Sequence, residues 1–368
     1  MSKGSISSAD RNMATVKVGE GEFAFFDLSA APFELAGLPF YHSDAVFRRL
    51  PAEPSPAAPN PGVEHLSWHT AGAQIRFRSD SSRVAVRAFV RFDDAMDHMP
   101  QTGMCGCDIY AAESDGPLLF HGVTRYDVGV QEYSCELFRS PAPGIMREFV
   151  INLPLYNGVT GIEVGVVPGA TISAPTPWAR KGKLVWYGTS IQQGGCASRP
   201  GMGLTNIVSR RLGMEIVNLA FSGSGKGEKE MAELMLQVND GRVFILDYEA
   251  NAMTLENLTA TLPVLLDILR NARPEAPIVV ISRIKFAQEN VPGWHENTSR
   301  ECRLKGVEIQ RKEVNRRRRR GDKNIHFIDG GILLGKDFHE CTVDGIHPTD
   351  LGFMRMADAL TPRLEKLI

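Results

Sequence analysis

The chain has 368 residues, of which 43% are hydrophobic and 23% charged, with a formal net charge of −2. That composition is ordinary for a soluble globular protein, and the near-neutral charge excludes a general attraction to nucleic acid or to an anionic membrane surface. The length is long for one domain and natural for two. The polar start, from Met1 to Asp10, has no apolar core of the kind a signal peptide needs. No apolar run approaches the ~20 residues of a membrane helix. Six cysteines in a chain of this size do not make a disulfide framework, so they read as reduced thiols of a cytoplasmic protein.

Residues 1–20 are polar and read as mobile. Residues 23–40 mix aromatic residues with Pro32, Gly37 and Pro39, which suits irregular packing better than a long helix. The proline-rich stretch 51–62 reads as a non-helical connector. Short runs with two-residue periodicity follow. Ile75 and Phe77 alternate with Arg76 and Arg78, and Val84, Val86, Ala88 and Val90 come after a Ser-Asp-Ser-Ser turn. Further strands are expected at 108–111, 118–126, 132–138, 147–153 and 160–167, with turns at Asp115-Gly116 and Asn157-Gly158. Strands this frequent, with no convincing helix between them, predict an all-β sandwich or jelly-roll domain over 1–175. Cys105-x-Cys107 is expected on one strand face, with His98 and His121 nearby in sequence. No second Cys-x-Cys pair completes four ligands, so the two read as small buried thiols and no metal is expected. Asp93, Asp94, Met96, Asp97 and Met99 read as an exposed loop.

Residues 171–182, polar with two prolines, read as the linker to a second domain over 180–368. Here apolar runs at 184–187, 215–220, 243–248, 278–282 and 326–328 alternate with amphipathic segments. Helices are expected near 204–212, 228–238, 255–272, 299–319 and 351–367. Five buried strands with crossover helices predict a doubly wound parallel sheet, flavodoxin-like, in a three-layer α/β/α arrangement.

Functional residues of an open parallel sheet collect outside the carboxyl ends of its strands. Those ends carry Ser190, on the turn Gly188-Thr-Ser-Ile191; Ser222-Gly223; Asn251; and, past the fifth strand, Asp344-Gly-Ile-His347. The set contains what ester hydrolysis through a serine requires. Ser190 is the nucleophile, neutral His347 the base, and Asp344 the carboxylate that orients the imidazole. The backbone N–H groups of Ser190 and Gly223 and the Asn251 amide serve as oxyanion donors.

Those four blocks resemble the SGNH (GDSL-type) hydrolases, and the resemblance covers the whole second half. The first half resembles the β-sandwich that precedes the catalytic domain in one branch of that superfamily. The branch is marked by a Gly-x-Asp-Leu-Tyr motif, here Gly106-Cys-Asp-Ile-Tyr110, and by a stretch like Leu153-Pro-Leu-Tyr-Asn-Gly158. The resemblance implies an esterase or acyltransferase without metal or other cofactor. It gives Ser190, Asp344 and His347 the triad roles and Ser190, Gly223 and Asn251 the oxyanion hole. Two departures stand out: Thr189 where the superfamily usually has Asp, and Glu249-Ala-Asn-Ala252 where it usually reads Gly-x-Asn-Asp.

The expected substrate is a small acyl ester, acetyl esters included, of a sugar or another polar small molecule, with neither nucleic acid nor membrane as partner. Transfer of the acyl group to an alcohol or amine is the alternative, and a catalytically silent carbohydrate-binding protein the second. Ser222-Gly-Ser-Gly-Lys-Gly-Glu228 also opens a helix after a strand, as a phosphate loop does, but its glycines are spaced Gly-x-Gly-x-Gly, which disfavours nucleotide binding. Cys196 reads as a pocket-lining or buried thiol, and Arg316 to Arg320 as a solvated helix end. The loop 285–297 is long for a βα connection. Its Trp294 and His295 are candidate substrate contacts, as are His339 and Glu340.

Overall fold

The computed structural model describes residues 18–368 apart from 20–21, 30–31, 54–57, 93–94 and 114–115. The expectations for residues 1–17 and for Asp93, Asp94 and Asp115 therefore lie outside the described residues. Before residue 175 the strands are β1 (Ala24–Asp27), β2 (Glu34–Ala36), β3 (Gln74–Ser79), β4 (Arg83–Val90), β5 (Asp108–Glu113), β6 (Leu119–Val123), β7 (Glu132–Arg139), β8 (Arg147–Asn152), β9 (Val159–Val166) and β10 (Ile172–Ser173). They form two antiparallel sheets, of order β1-β9-β4-β7 and β10-β3-β8-β5-β6 with β2 added against β3. The inward positions of the alternating strands, among them Ile75, Phe77, Val84, Val86, Ile109, Phe149 and Ile151, are fully buried between the sheets.

Three expectations need correction here. The connector 51–62 does not stay non-helical to its end, because a helix runs from Pro61 to Ser67. Asn60 caps it by accepting from Val63 N, and proline suits the first helical turn, where its missing N–H has no partner to lose. Cys105 and Cys107 are buried as expected, yet neither lies within a strand: Cys105 closes the short helix Gln101–Met104, and β5 begins at Asp108. Met99 is not exposed but packs into the core at 4% exposure.

Beyond residue 180 come β11 (Lys183–Gly188), β12 (Glu215–Ala220), β13 (Gly241–Asp247), β14 (Ile278–Ile281) and β15 (Ile325–Ile328), all parallel, in the order β12-β11-β13-β14-β15. Helices Leu204–Leu212, Lys229–Leu236, Leu255–Ala272, Arg300–Arg319 and Asp350–Leu364 connect or close these strands. Leu258, Leu262, Leu265, Leu266 and Leu269 form the buried stripe of the third helix against the sheet. In the basic run, Arg317 is not solvated. It is held between Glu313, Asp267 and the carbonyl of Pro263, joining two helices.

The two halves share one apolar core, in which Leu155 and Tyr156 pack with Ile191, Cys196 and Leu204. Segment 171–182 is tied down along its length. Arg78 donates to Ala174 O and Arg76 to Thr176 O, and Trp178 donates to Glu34. Arg49, fully buried, donates to the carbonyls of Leu66, His69, Asn218 and Ala220 and lies over the Phe221 ring. Four carbonyl acceptors solvate the guanidinium where no carboxylate does. Burial still pushes its pKa down to about 9.

Candidate active site

Order β12-β11-β13 makes the edge between β11 and β13 the point where connections diverge to opposite sides, the place where open parallel sheets bind their ligands. Ser190 stands directly past β11. Gly188 ends the strand with no room for a Cβ beside Gln192, and Thr189 caps the one-turn helix Ser190–Gln193. The cap is reciprocal: Ile191 N donates to Thr189 Oγ1 at 3.3 Å, and Thr189 N donates to Gln192 Oε1 at 2.9 Å. A threonine thus does the capping work at the position where an aspartate was expected. Gln192 continues inward, donating to Asp247 at 2.6 Å. Burial, together with the charge of Glu249, pushes the Asp247 carboxyl well above its usual range.

His347 bridges the rim. Its Nε2 lies 2.8 Å from Ser190 Oγ and its Nδ1 lies 2.6 Å from Asp344 Oδ2. A carboxylate only accepts, so Nδ1 carries the proton and Nε2 is left to accept from the serine hydroxyl. Asp344 Oδ1 also accepts from the amides of Ile346 and His347, at 2.9 and 2.7 Å. Burial acts to raise this carboxyl, but the His347 amide and ring and the Ile346 amide outweigh it and hold the pKa below its ordinary value. The structure therefore brings Ser190, His347 and Asp344 into one hydrogen-bonded chain.

Asn251 sits on the turn after β13, at 8% exposure, and one of its amide hydrogens goes to Phe221 O at 3.1 Å. That bond orients the side chain and leaves the second N–H unspent. Gly223 has φ of +63°, and a Cβ there would meet nothing within 4 Å. The backbone conformation requires the glycine, not a protein neighbour. Glu249, the other departure, is a buried anchor: its carboxylate accepts from Arg283 N and Gln310 Nε2, both at 2.7 Å. A side chain at Gly306 would collide with it. The loop geometry around Asn251 is thus held from the far side by a carboxylate.

The loop at 222–228 spends its polar groups on protein. Ser222 N donates to Gln193, Gly227 N to the Tyr187 hydroxyl and Lys226 N to Glu228. A phosphate cradle needs those amides free, so nucleotide binding loses its donors. Cys196 is buried, and burial with the Asp344 charge pushes its thiol up to about 12, opposite to what a nucleophilic cysteine needs. Trp294 is 38% exposed and donates to Thr298, and the link from its loop to the site lies earlier, where Ala287 N donates to Gly345 O at 2.8 Å. His295 is also exposed. His339 and Glu340 lie on the turn Phe338–Cys341, both exposed, with 3.7 Å between ring and carboxylate.

The first half supplies residues to this rim that sequence reasoning did not place there: Tyr156, Leu155 and His69 were not singled out, and His98 was named only beside Cys105 and Cys107. Tyr156 donates from its hydroxyl to Ser190 O at 3.0 Å. Gln193 Oε1 accepts from Ser222 N, so its Nε2 donates to Leu155 O and to His69 Nδ1, each at 3.2 Å. His98 stands edge-on to His347, with ring centroids 5.8 Å apart. Tyr156 lay in view inside Leu153-Pro-Leu-Tyr-Asn-Gly158. Its partner is 34 residues away across the two halves, and no periodicity reports such a contact.

Comparison with known proteins shows the family and the fold. The doubly wound sheet with its rim of Ser190, Asn251 and His347 has the SGNH-like hydrolase fold, preceded by a β-sandwich. The chain belongs to the GDSL-like lipase/acylhydrolase family, whose model matches residues 181–365, and the model of the GxDLY N-terminal domain of SGNH-hydrolase-type esterases matches residues 23–172. Among solved structures, a protein from Bacteroides ovatus described as a GDSL-like lipase is 31% identical, covering 94% of this chain and 98% of its own, with a TM-score of 0.83. The salicylyl-acyltransferase SsfX3 of a tetracycline biosynthetic pathway shares the fold at 19% identity, covering 95% and 98%, with a TM-score of 0.75. A family two carbohydrate esterase from Cellvibrio japonicus does so at 14% identity, covering 94% and 98%, with a TM-score of 0.57. No curated protein matches the sequence. Among the described residues no helix is long and apolar enough to cross a membrane.

Proposed function

We propose that the chain is a serine esterase that removes a small acyl group from a sugar or another polar small molecule through an acyl-Ser190 intermediate. One observation carries the reading: Ser190 Oγ, His347 and Asp344 stand in line at 2.8 and 2.6 Å. In this reading Ser190 Oγ attacks the ester carbonyl as its proton passes to His347 Nε2, and Asp344 stabilises the imidazolium that forms. The Ser190 and Gly223 amides and the free Asn251 N–H receive the oxyanion. His347 then protonates the departing alcohol, and water attacks the acyl-serine by the reverse proton route.

The likeness to SsfX3 over nearly the whole chain favours a second reading, in which an alcohol or amine takes the acyl group in place of water. Both share the acyl-serine, so they are separated by product. A panel of acyl esters varying chain length and alcohol, with Ser190→Ala as the blank, tests both when free acid and acylated acceptor are measured together. Release of free acid by the wild type above the blank supports the esterase. Acylated acceptor without free acid supports the transferase. Equal turnover by wild type and Ser190→Ala contradicts both.

A further inference from the structure

Among the described residues, His98, Cys196 and His347 place one possible metal-ligand atom each within 4.8 Å of one another. They come from three separate places: a loop of the sandwich half, the turn behind Ser190, and the loop that follows β15. The chemical types are two imidazoles and a thiol, the donor set preferred by zinc. Each of the two histidines also has a carboxylate at its other ring nitrogen. His98 Nδ1 lies 3.2 Å from Asp97 Oδ1, and His347 Nδ1 lies 2.6 Å from Asp344 Oδ2. Metal-binding histidines almost always give their other ring N–H to such a partner, which fixes the tautomer with Nε2 facing the ion. Both rings here have Nδ1 facing a carboxylate, and the Nε2 of His347 is held by Ser190 Oγ, which an ion must displace.

We propose that these three residues form an inhibitory site for zinc(II) or a similar borderline-soft divalent ion, a regulation of the esterase site that rests on the role of His347 given above. A tetrahedral zinc holds such ligands roughly 3.3–3.6 Å apart. Separations of up to 4.8 Å therefore close on binding. Water fills the fourth position. On binding, Zn–N bonds form to His98 and His347 and a Zn–S bond forms to Cys196, whose proton goes to solvent; nothing is oxidised. The ion occupies His347 Nε2, the lone pair that accepts the Ser190 proton, and the hydrogen bond between them is broken. Because His98 belongs to the sandwich half, the ion also fastens the two halves together.

The test uses the full chain, freed of metal by a chelator, in two measurements. Zinc chloride is titrated against ester hydrolysis in the wild type, His98→Ala and Cys196→Ser, each scored against its own metal-free rate. The expected result is inhibition reversed by chelator in the wild type, with the inhibition constant raised at least about 10-fold in each variant. Cobalt(II) is then added in place of zinc and followed by absorption. A thiolate-to-cobalt charge-transfer band is expected in the wild type and its loss in Cys196→Ser. Inhibition equally strong in both variants, or cobalt binding without a thiolate band, overturns the site. The cobalt band in a chain without hydrolytic activity would support the site and count against the esterase reading, so the two failures are distinguishable.

Discussion

The two sides of the proposed catalytic rim are held very differently. Ser190 sits on a turn clamped from within. Tyr156 holds its carbonyl, Leu155 packs against Gly194, the Gln193 side chain bonds Leu155 and His69, and Thr189 with Gln192 closes the cap. His347 and Asp344 ride on a short loop, with side chains 22% and 33% exposed. That loop is closed by the Thr342–Pro348 bridge and steadied by Ala287 against Gly345. The Ser190 side is thus held by hydrogen bonds from both halves of the chain, while the His347 loop is closed by second-half hydrogen bonds and meets the first half through the edge-on ring of His98. This teaches that the sandwich is part of the scaffold that positions Ser190. Losses on the base side should act on chemistry, and losses on the clamped side should act on both geometry and folding.

The largest expected effect is at the base. Asp344→Asn should lower kcat by about 10⁴-fold with folding intact, because the imidazole loses the partner that sets its tautomer. Steady-state kinetics beside a melting curve check it, and a loss below 10-fold would mean Asp344 does not orient His347. Next comes the proposed oxyanion donor: Asn251→Ala should cost about 10²–10³-fold in kcat at similar KM. A change confined to KM would place Asn251 in substrate binding instead.

On the clamped side, Tyr156→Phe removes one hydroxyl and its bond to Ser190 O. The expected outcome is about a 10-fold loss of kcat with KM little changed, together with about 1 kcal/mol of stability. Wild-type kcat in that variant would show that the sandwich does not position the nucleophile.

The smallest effect concerns pH. His69 is held neutral, its pKa pushed down to about 3 by burial and by the charges of Arg49 and His65. The unfolded chain takes up this proton near the ordinary value of 6.5, so it binds more protons than the native state between pH 6.5 and 3. This contribution to stability is therefore complete above pH 6.5 and declines by up to about 1.4 kcal/mol per unit as pH falls towards 3. Melting temperatures of wild type and His69→Gln, taken from pH 7 to 4, should converge on acidification. Parallel curves would contradict the neutral His69.

Much of this arrangement is legible in the sequence. The buried strands announce themselves as apolar runs such as Ile278–Ile281, and the residues that follow such strands, Ser190, Gly223 and Asn251, fall on the rim because a parallel sheet puts strand ends together. The sandwich strands follow from alternation. What periodicity hides is contact between distant elements. Met99 looked like part of a polar loop and lies in the core, and Arg49 and Arg317 are buried because carbonyls and carboxylates elsewhere in the chain meet them. The start of the helix at Pro61 was readable, since Asn60 followed by proline is a cap signal, but the surrounding prolines drowned it. The Tyr156 bond to Ser190 exists only once the two halves have docked.

The central claim, that Ser190 is a nucleophile activated by His347, is tested most directly by a fluorophosphonate probe and intact-mass analysis with peptide mapping. A single adduct on Ser190 is predicted, absent from Ser190→Ala and formed at least about 10³-fold more slowly in His347→Ala. Labelling at another residue, or equal labelling rates in wild type and His347→Ala, would contradict it.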